Sequence, residues 1–296
     1  MLEALAAIPE VTLVAVVTAP SRPVGRSAVV TPTPVGERAA RLRLPVLTPA
    51  RLREPAFVAQ LGAVRPEIGI LADYGKLLPS AILDVPSGGI LNLHPSLLPR
   101  HRGATPIPAA ILAGDAETGV TLFRMDVGMD TGPVVAREPI DLPGNVDAPS
   151  LESHLSLVAA ALLRRTLGGW LRGELPAVAQ PQDGVSVTRP FGREDGRLDP
   201  TRPAVALERQ VRALRPWPGT FVEVGGGRIG VLRAAVAPSR VGDEQGCLVG
   251  DGPAGLALAT ADGRLQLLEV QPAGGRPMDG ASLLRGRPRL LSTRVG

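Results

Sequence analysis

The segment from Ile90 to Gly103 (I-L-N-L-H-P-S-L-L-P-R-H-R-G) constrains this chain more than any other. Its apolar first part holds two polar residues, Asn92 and His94, separated by one leucine. In a β-strand, residues i and i+2 point to the same face, so these two side chains are expected side by side. Pro95 has no backbone donor and ends the strand directly after the histidine. An amide and an imidazole at a strand end can stabilise a carbonyl oxygen and move a proton, as acyl transfer requires.

The first 172 residues alternate between apolar, β-rich runs and helical stretches. Such alternation predicts an α/β domain, Rossmann-like, with a mostly parallel sheet. Residues 11–17 are a continuous apolar run, which is typical of a strand buried on both faces. The segment 18–34 is rich in Pro and Gly and is predicted to be a loop. Further strands are predicted at 45–47, 67–72, 89–94, 119–125 and 133–140, and helices at 35–42, 50–61, 106–113 and 151–171.

A second, smaller domain is predicted after a linker. Residues 173–203 are dominated by Pro, Gly, Gln and charged residues, a composition typical of linkers. A helix is expected at 204–214, before Pro216. Short apolar runs separated by Gly and Asp turns follow and predict a small β-barrel; they lie at 220–224, 228–235, 247–249, 256–260 and 265–270.

Charge is distributed unevenly along the chain. Residues 201–296 carry 13 arginines against 8 acidic residues, although the net charge of the whole chain is only +4. A basic C-terminal part beside a nearly neutral N-terminal part is what a catalytic domain joined to a polyanion-binding domain would show. A solvated basic surface accounts for the same charge, so the two interpretations stay open on charge alone.

Several classes of protein are excluded by composition. The single cysteine, Cys247, excludes an internal disulfide and a cysteine-rich metal site. The N-terminus lacks the basic and apolar regions of a secretory signal, and no apolar run approaches the roughly 20 residues that span a membrane. We therefore expect a cytoplasmic protein, a monomer, with neither a metal ion nor a membrane partner.

Three motifs resemble one known family. N-L-H-P-S-L-L-P-R-H-R-G, P-I-P-A-A-I-L-A-G-D-A-E-T-G-V-T and M-D-V-G-M-D-T-G resemble the formyltransferases that use 10-formyltetrahydrofolate, and most closely those that act on methionyl-tRNA. The resemblance resumes at R-A-L-R-P-W-P-G and at L-L-E-V-Q-P-A-G-G-R-P-M. It implies a formyltransferase domain over 1–172, the linker 173–203, and an OB-like, tRNA-binding barrel over 204–296. The implied co-substrate is 10-formyltetrahydrofolate, and the implied partner is initiator methionyl-tRNA.

The resemblance also implies the site residues. Asn92, His94 and Asp130 take the catalytic positions, and His94 could act as an imidazolium donor or as a base because its ordinary pKa is about 6.5. Asp126 lies in the same turn as Asp130, but the register of the motif favours Asp130. The residues implied for folate are Ser96, Leu97, Leu98 and Pro99, and those implied for tRNA are Arg22 and Arg26.

Two rival functions and one structural expectation follow from the same residues. Another 10-formyltetrahydrofolate enzyme, such as a sugar-nucleotide N-formyltransferase or a formyltetrahydrofolate hydrolase, would share the Asn/His/Asp set. The second rival is a non-catalytic RNA-binding protein whose N-terminal domain is a remnant. Family members also carry a short strand and an F-x-G-T/S-type turn ahead of the helix at Met1–Ile8, which this sequence does not contain, so we expect the sheet to lack that strand.

Overall fold

The computed structural model describes residues 1–24 and 28–296, which form two compact units. The first unit consists of Met1–Ala104, Glu117–Asp141 and Ser153–Thr188. The second unit consists of Thr105–Ala116, Leu142–Glu152 and Arg189–Gly296. Residues 173–188, predicted to belong to a linker, are thus part of the first unit.

The helices and strands up to residue 188 follow the predicted alternation closely. In chain order they are α1 (Leu2–Ala6), β1 (Val16–Val17), β2 (Arg22–Val24), β3 (Val29–Thr31), α2 (Pro34–Arg41), β4 (Val46–Leu47), α3 (Pro55–Ala63), β5 (Gly69–Leu71), α4 (Ser80–Leu83), β6 (Ile90–His94), β7 (Arg102–Gly103), α5 (Pro106–Ala113), β8 (Glu117–Arg124), β9 (Val134–Asp141), α6 (Ala148–Leu171) and β10 (Val187–Thr188). The helix predicted at 106–113 and the strand predicted at 89–94 are confirmed.

Local chemistry sets the ends of these helices. Helix α2 begins after Thr33, whose hydroxyl accepts a hydrogen bond from the backbone N–H of Gly36 at 3.1 Å. Helix α5 begins with a proline at its first position, where the missing N–H costs nothing, and ends at Gly114 in the left-handed conformation. These start and stop signals are readable in the sequence, which is why the bounds of α2 and α5 were predicted to within one residue, whereas the helix predicted at 50–61 begins only at Pro55.

The main sheet of the first unit has the order β5-β6-β8-β9. Strand β6 pairs in parallel with β5 and antiparallel with β8, and β8 pairs antiparallel with β9. The prediction of a mostly parallel sheet is therefore wrong for this sheet, which is mixed. For β8 and β9 the reason is that they follow one another through the glycine-containing segment 125–133, which is too short for the crossover that a parallel pair needs.

A separate parallel pair is formed by β1 and β4. Of the run predicted as a strand over 11–17, only Val16 and Val17 pair, and Val14 is 37% exposed. In the described residues this pair is a sheet of its own, and no further strand joins it to β5. The segment predicted as a loop over 18–34 contains instead a short antiparallel hairpin of β2 and β3.

Helix α6 is the longest element and supplies much of the buried surface of the first unit. Five of its leucines are almost fully buried, whereas Leu157 on the same helix is 70% exposed; the five are Leu151, Leu155, Leu162, Leu163 and Leu167. Among the described residues, no helix is both long and apolar enough to span a membrane.

The elements of the second unit after residue 189 are mainly strands. They are α7 (Ala204–Ala213), β11 (Thr220–Val224), β12 (Gly227–Ala237), β13 (Leu248–Gly250), β14 (Leu256–Ala259), β15 (Arg264–Pro272), β16 (Met278–Asp279) and α8 (Gly280–Gly286), with short 3₁₀ turns at Arg193–Gly196, Gly252–Ala254 and Pro288–Leu290. The core between α7 and the sheet is built from aliphatic side chains, among them Leu207, Val231, Leu258 and Leu267.

The strands of the second unit form one antiparallel sheet rather than a closed barrel. Its order is β11-β12-β15-β14-β13, with β16 paired to β15. In the described part of the chain the two outer strands, β11 and β13, are not paired with one another. A bulge between Val231 and Ala234 shifts the register of β12 against β15, and bulges of this kind bend a strand and increase its twist.

The packing of α6 can be tested with one pair of substitutions on the same helix. Leu163→Ala removes a side chain that is 0% exposed and is expected to lower the free energy of unfolding by about 2–5 kcal/mol. Leu157→Ala is the matched control and is expected to change it by no more than about 0.5 kcal/mol. Urea unfolding followed by circular dichroism measures both, and equal losses for the two variants would contradict the described burial of α6.

Candidate active site

Strand β6 holds Asn92 and His94 in the interior of the main sheet. All five residues of the strand are buried, and Asn92 and His94 are 7% and 5% exposed. Pairing on both edges fixes the strand: Asn92 lies opposite Leu71 of β5 on one side and Phe123 of β8 on the other. The two polar side chains share a face, as their i, i+2 spacing predicted.

The loop after β6 is fixed to the sheet by side chains of the neighbouring strands. The Thr121 hydroxyl donates to the Ser96 carbonyl at 2.7 Å and accepts from the Leu98 N–H at 3.0 Å. Arg137 donates to the Leu98 carbonyl at 2.8 Å, and the Ser96 hydroxyl donates to the carbonyl of Arg100 at 2.6 Å. The chain therefore turns back toward the end of β6 in one defined path.

The returning loop fixes the orientation of the His94 ring. The ring atom Nε2 lies 2.9 Å from the backbone carbonyl oxygen of His101. Because a carbonyl can only accept, Nε2 carries the proton and donates. The neutral ring therefore leaves Nδ1 as its free acceptor, and Nδ1 is the atom that faces Asp130.

Asp130 completes a His–carboxylate pair. Its Oδ2 lies 3.7 Å from Nδ1 of His94 and accepts a hydrogen bond from the Gly103 N–H at 2.7 Å. Asp130 has φ +55°, in the left-handed region that non-glycine residues adopt only at some cost. A conformation of this kind persists only where surrounding bonds hold it.

Asp126 has a different role from Asp130 in the same turn. Its Oδ1 accepts from the Gly128 N–H at 3.0 Å and from the Thr131 hydroxyl at 2.7 Å. Both bonds are made within the turn, so the Asp126 carboxylate stabilises the turn. Of the two aspartates, Asp130 is the one whose carboxylate approaches His94.

Burial lowers the pKa of His94 below its ordinary value of 6.5, and this is the largest influence on it. The Asp130 carboxylate and the hydrogen bond to the His101 carbonyl favour the charged ring and offset part of that lowering. His101 opposes the charged ring by Coulombic repulsion. Since burial dominates, His94 is mainly neutral at pH 7 and able to accept a proton.

The side chain of Asn92 lies on the same face of β6 as His94. Within the described part of the chain its amide makes no hydrogen bond, although the residue is only 7% exposed. No polar atom of the Asn92 side chain is both fully enclosed and without a partner, so its amide can be reached from outside and is free to bind a ligand. The face of β6 shared by Asn92 and His94 therefore carries an N–H donor beside a basic ring nitrogen, a pair that is able to bind a carbonyl oxygen and accept a proton.

The residues implied for folate form the turn directly after this face. Ser96, Leu98 and Pro99 are buried, and Leu98 packs against Phe123 and Val134. Leu97 is the one of the four that remains partly exposed. Of these side chains, only Leu97 offers apolar surface to a ligand without rearrangement.

Only one of the two arginines implied for tRNA lies in the described part of the chain. Arg22 is exposed at the start of the β2–β3 hairpin. Arg26 lies outside the described residues.

One group of residues near the site was not predicted from the sequence. Gln180, Ser186 and Thr188 contact the loops that carry His101, Gly103 and Asp130. These residues lie in the stretch predicted as a linker, whose Pro-, Gly- and Gln-rich composition carries no periodic signal. The only available hint was a run of residues, V-S-V-T, compatible with a short strand at Val187–Thr188.

The His94–Asp130 pair predicts a specific pKa change. With Asp130→Asn the negative charge is removed, so the charged imidazole loses a favourable neighbour and the pKa of His94 is expected to fall further below 6.5. The chain has only three histidines, so imidazole NMR resonances can be followed through a pH titration. Exposed His154 serves as the internal reference, and an unchanged or raised pKa of His94 would contradict the geometry.

Comparison with known proteins identifies the family of this chain. The Formyl transferase family model matches residues 3–167, and the model of the formyl transferase C-terminal domain matches residues 191–288. A methionyl-tRNA formyltransferase of Chloroflexus aggregans is 44% identical over 276 residues, 93% of this chain and 89% of that protein. One of Thermus thermophilus is 45% identical over 288 residues, 96% of this chain and 92% of that protein.

A solved structure shows the same fold at lower identity. HypX from Aquifex aeolicus in complex with tetrahydrofolic acid superposes with a TM-score of 0.59 at 18% identity, covering 83% of this chain and 43% of that protein. The match of both family models, together with relatives this similar over nearly their whole length, establishes kinship. The chain belongs to the formyl transferase family, and its curated relatives within that family are methionyl-tRNA formyltransferases.

Proposed function

We propose that this protein transfers the formyl group of 10-formyltetrahydrofolate to the α-amine of methionine carried by initiator tRNA, acting as a monomer in the cytoplasm. The observation that carries the proposal is the buried Asn92–His94 face with Asp130 beside it. It occurs in a chain 45% identical to a methionyl-tRNA formyltransferase over 96% of its length.

Asn92 is the proposed oxyanion donor. When the amine attacks the formyl carbon, the carbonyl oxygen gains negative charge, and a preorganised N–H donor stabilises that charge more than it stabilises the neutral carbonyl. The Asn92 amide needs no ionisation to donate. Its position on a strand paired at both edges keeps the donor fixed.

His94 is the proposed general base. The amine nitrogen forms the new bond to the formyl carbon and must lose one proton, and Nδ1 of His94 accepts it while Nε2 stays bound to the His101 carbonyl. The bond between the formyl carbon and the folate nitrogen then breaks, and the proton held by His94 passes to the departing nitrogen. Atoms and charge balance without a metal ion.

Asp130 supports the charged form of His94 during this step. Its carboxylate lies 3.7 Å from Nδ1, so an imidazolium formed there is stabilised by an opposite charge. The same oxygen is fixed by the Gly103 N–H. The pair is thus prepared for a transient positive charge that burial alone would disfavour.

Further assignments extend the proposal beyond the catalytic residues. The turn of Ser96, Leu97, Leu98 and Pro99 borders the folate site, with Leu97 as its exposed apolar contact. Residues 1–172 are the catalytic part and 173–203 the connection, of which the residues up to Thr188 belong to the first compact unit. Residues 204–296 are an OB-like part that binds tRNA together with Arg22 and Arg26. The excess of arginine after residue 200 supports the last assignment, because binding to nucleic acid depends on neutralising phosphates.

The function is tested by formylation of charged tRNA. Purified protein, 10-formyltetrahydrofolate and initiator methionyl-tRNA are expected to give formylmethionyl-tRNA, and Asn92→Ala is expected to lower the rate by about 10²–10³ because one oxyanion donor is lost. Circular dichroism establishes that the variant is folded.

The same assay distinguishes the rivals. Formylation of a sugar-nucleotide amine but not of the tRNA would contradict the proposal and favour the first rival. Release of formate with no acceptor modified would favour a hydrolase. Binding of tRNA with no transfer at all would favour the RNA-binding remnant.

The role of Arg22 is tested by the salt dependence of tRNA binding. Arg22→Ala is expected to weaken binding and to reduce the slope of log K against log salt concentration by about 1, as loss of a single phosphate contact does. Arg172→Ala, which removes an exposed arginine paired with Glu174, is the matched control. Equal slopes for the Arg22 variant and the wild type would contradict a phosphate contact at this hairpin.

A further inference from the structure

The segment Val178–Thr188, here called the strap, is bonded to both loops that form the His94–Asp130 pair. At its start, Val178 exchanges two backbone hydrogen bonds with Val134, of 2.7 and 2.8 Å. At its end, β10 pairs in parallel with β7, which sets Val187 opposite Arg102. The strap is therefore a bound part of the first unit, in contrast to the linker that its composition predicts.

Gln180 lies in the middle of the strap and is 7% exposed. Its Nε2 donates to the carbonyls of Asp130 and Gly132, both at 2.8 Å. Its Oε1 accepts from Nε and Nη2 of Arg102, at 3.1 and 2.7 Å. Both amide N–H groups and the amide oxygen are thus used.

The orientation of this amide is fixed by its partners. Carbonyls only accept and a guanidinium only donates. Rotating the Gln180 amide by 180° would place its oxygen against the two carbonyls and its N–H groups against Arg102, and every one of these contacts would become repulsive. Gln180 therefore cannot exchange its two partners.

The bonds of Gln180 close a ring around the catalytic carboxylate. Asp130 binds the Gly103 N–H through its side chain, Arg102 is the residue before Gly103, and Gln180 joins the Arg102 side chain to the Asp130 carbonyl. Asp130 sits at φ +55°, a conformation that needs support from its surroundings. Gln180 supplies that support on the backbone of the same residue.

The strap also holds the loop that orients His94. The Ser186 hydroxyl accepts from the His101 N–H at 2.8 Å, and the Ser186 carbonyl accepts from the Arg102 N–H at 2.9 Å. The His101 carbonyl is the group that binds Nε2 of His94. One segment therefore fixes the partners on both ring nitrogens of His94.

We propose that Gln180 is a positioning residue, which sets the Asp130 carboxylate against Nδ1 of His94 by fixing the Asp130 backbone and Arg102 together. Its effect on rate rests on the proposed function, whereas its effect on the His94–Asp130 pair does not. The substrate contacts remain those of Asn92 and His94.

Two variants and one control test the proposal in the full-length protein. Gln180→Ala removes all four bonds. Gln180→Glu keeps acceptors for Arg102 but sets a carboxylate oxygen against the carbonyls of Asp130 and Gly132; because it also adds a negative charge, it is read by formylation and not by the pKa of His94. Gln182→Ala changes an exposed glutamine two residues away and is the matched control.

The first readout is the NMR titration of His94 in the absence of substrate. Gln180→Ala is expected to lower the pKa of His94, because a displaced Asp130 stabilises the imidazolium less, and Gln182→Ala is expected to leave it unchanged. In an Asp130→Asn background the Gln180 substitution is expected to add nothing. A pKa of His94 equal to that of the wild type, or the same fall with and without Asp130, would overturn the proposal.

The second readout is formylation. Gln180→Ala is expected to lower kcat by roughly 10- to 100-fold, as small misplacements of catalytic groups do, with KM for both substrates within about twofold. If the wild type does not formylate the tRNA, the proposed function fails while the titration still decides the role of Gln180. If Gln180→Ala does not fold, Gln180→Glu carries the kinetic readout, and a wild-type kcat for a folded Gln180→Glu would overturn the proposal.

Discussion

The site depends on the hydrogen bond between Nε2 of His94 and the backbone carbonyl of His101, at 2.9 Å. This bond decides which ring nitrogen carries the proton, and so which nitrogen is left to act. Because Nε2 donates to this carbonyl, Nδ1 is the ring nitrogen that faces Asp130, at 3.7 Å. Burial lowers the pKa of the ring and keeps it mainly neutral. The sequence left two roles open for His94, a charged donor and a neutral base, and the geometry favours the base.

Prediction from sequence succeeded where the determinants are local. The shared face of Asn92 and His94 follows from the period of a strand, and Pro95 marks its end. The bounds of α5 follow from a proline at its start and Gly114 at its end. Family motifs then distinguished Asp130 from Asp126, which composition and spacing could not do. In each of these cases the information lies within a few residues of the feature.

Prediction failed where the determinants are partners far away in the chain. Gln180 bonds residues 48 to 78 positions earlier, from Arg102 to Gly132, and nothing in the local composition of the strap encodes those bonds. The run 11–17 has the apolar character of a buried strand, yet only Val16 and Val17 pair, because pairing depends on which strands lie alongside. Likewise, the strands after residue 220 were predicted one by one, but the order of the sheet and the bulge in β12 depend on register between strands.

The central claim, that neutral His94 accepts the proton of the attacking amine, is tested most directly by the pH dependence of single-turnover formylation. The rate for the wild type is predicted to fall with decreasing pH through the pKa that NMR assigns to His94, and this limb is predicted to be absent in His94→Gln, leaving only the titration of the substrate amine. Comparison of the two profiles separates the enzyme's base from that amine. A wild-type rate that instead rises as pH falls through the pKa of His94 would show that the charged ring is the active form, and would contradict the account.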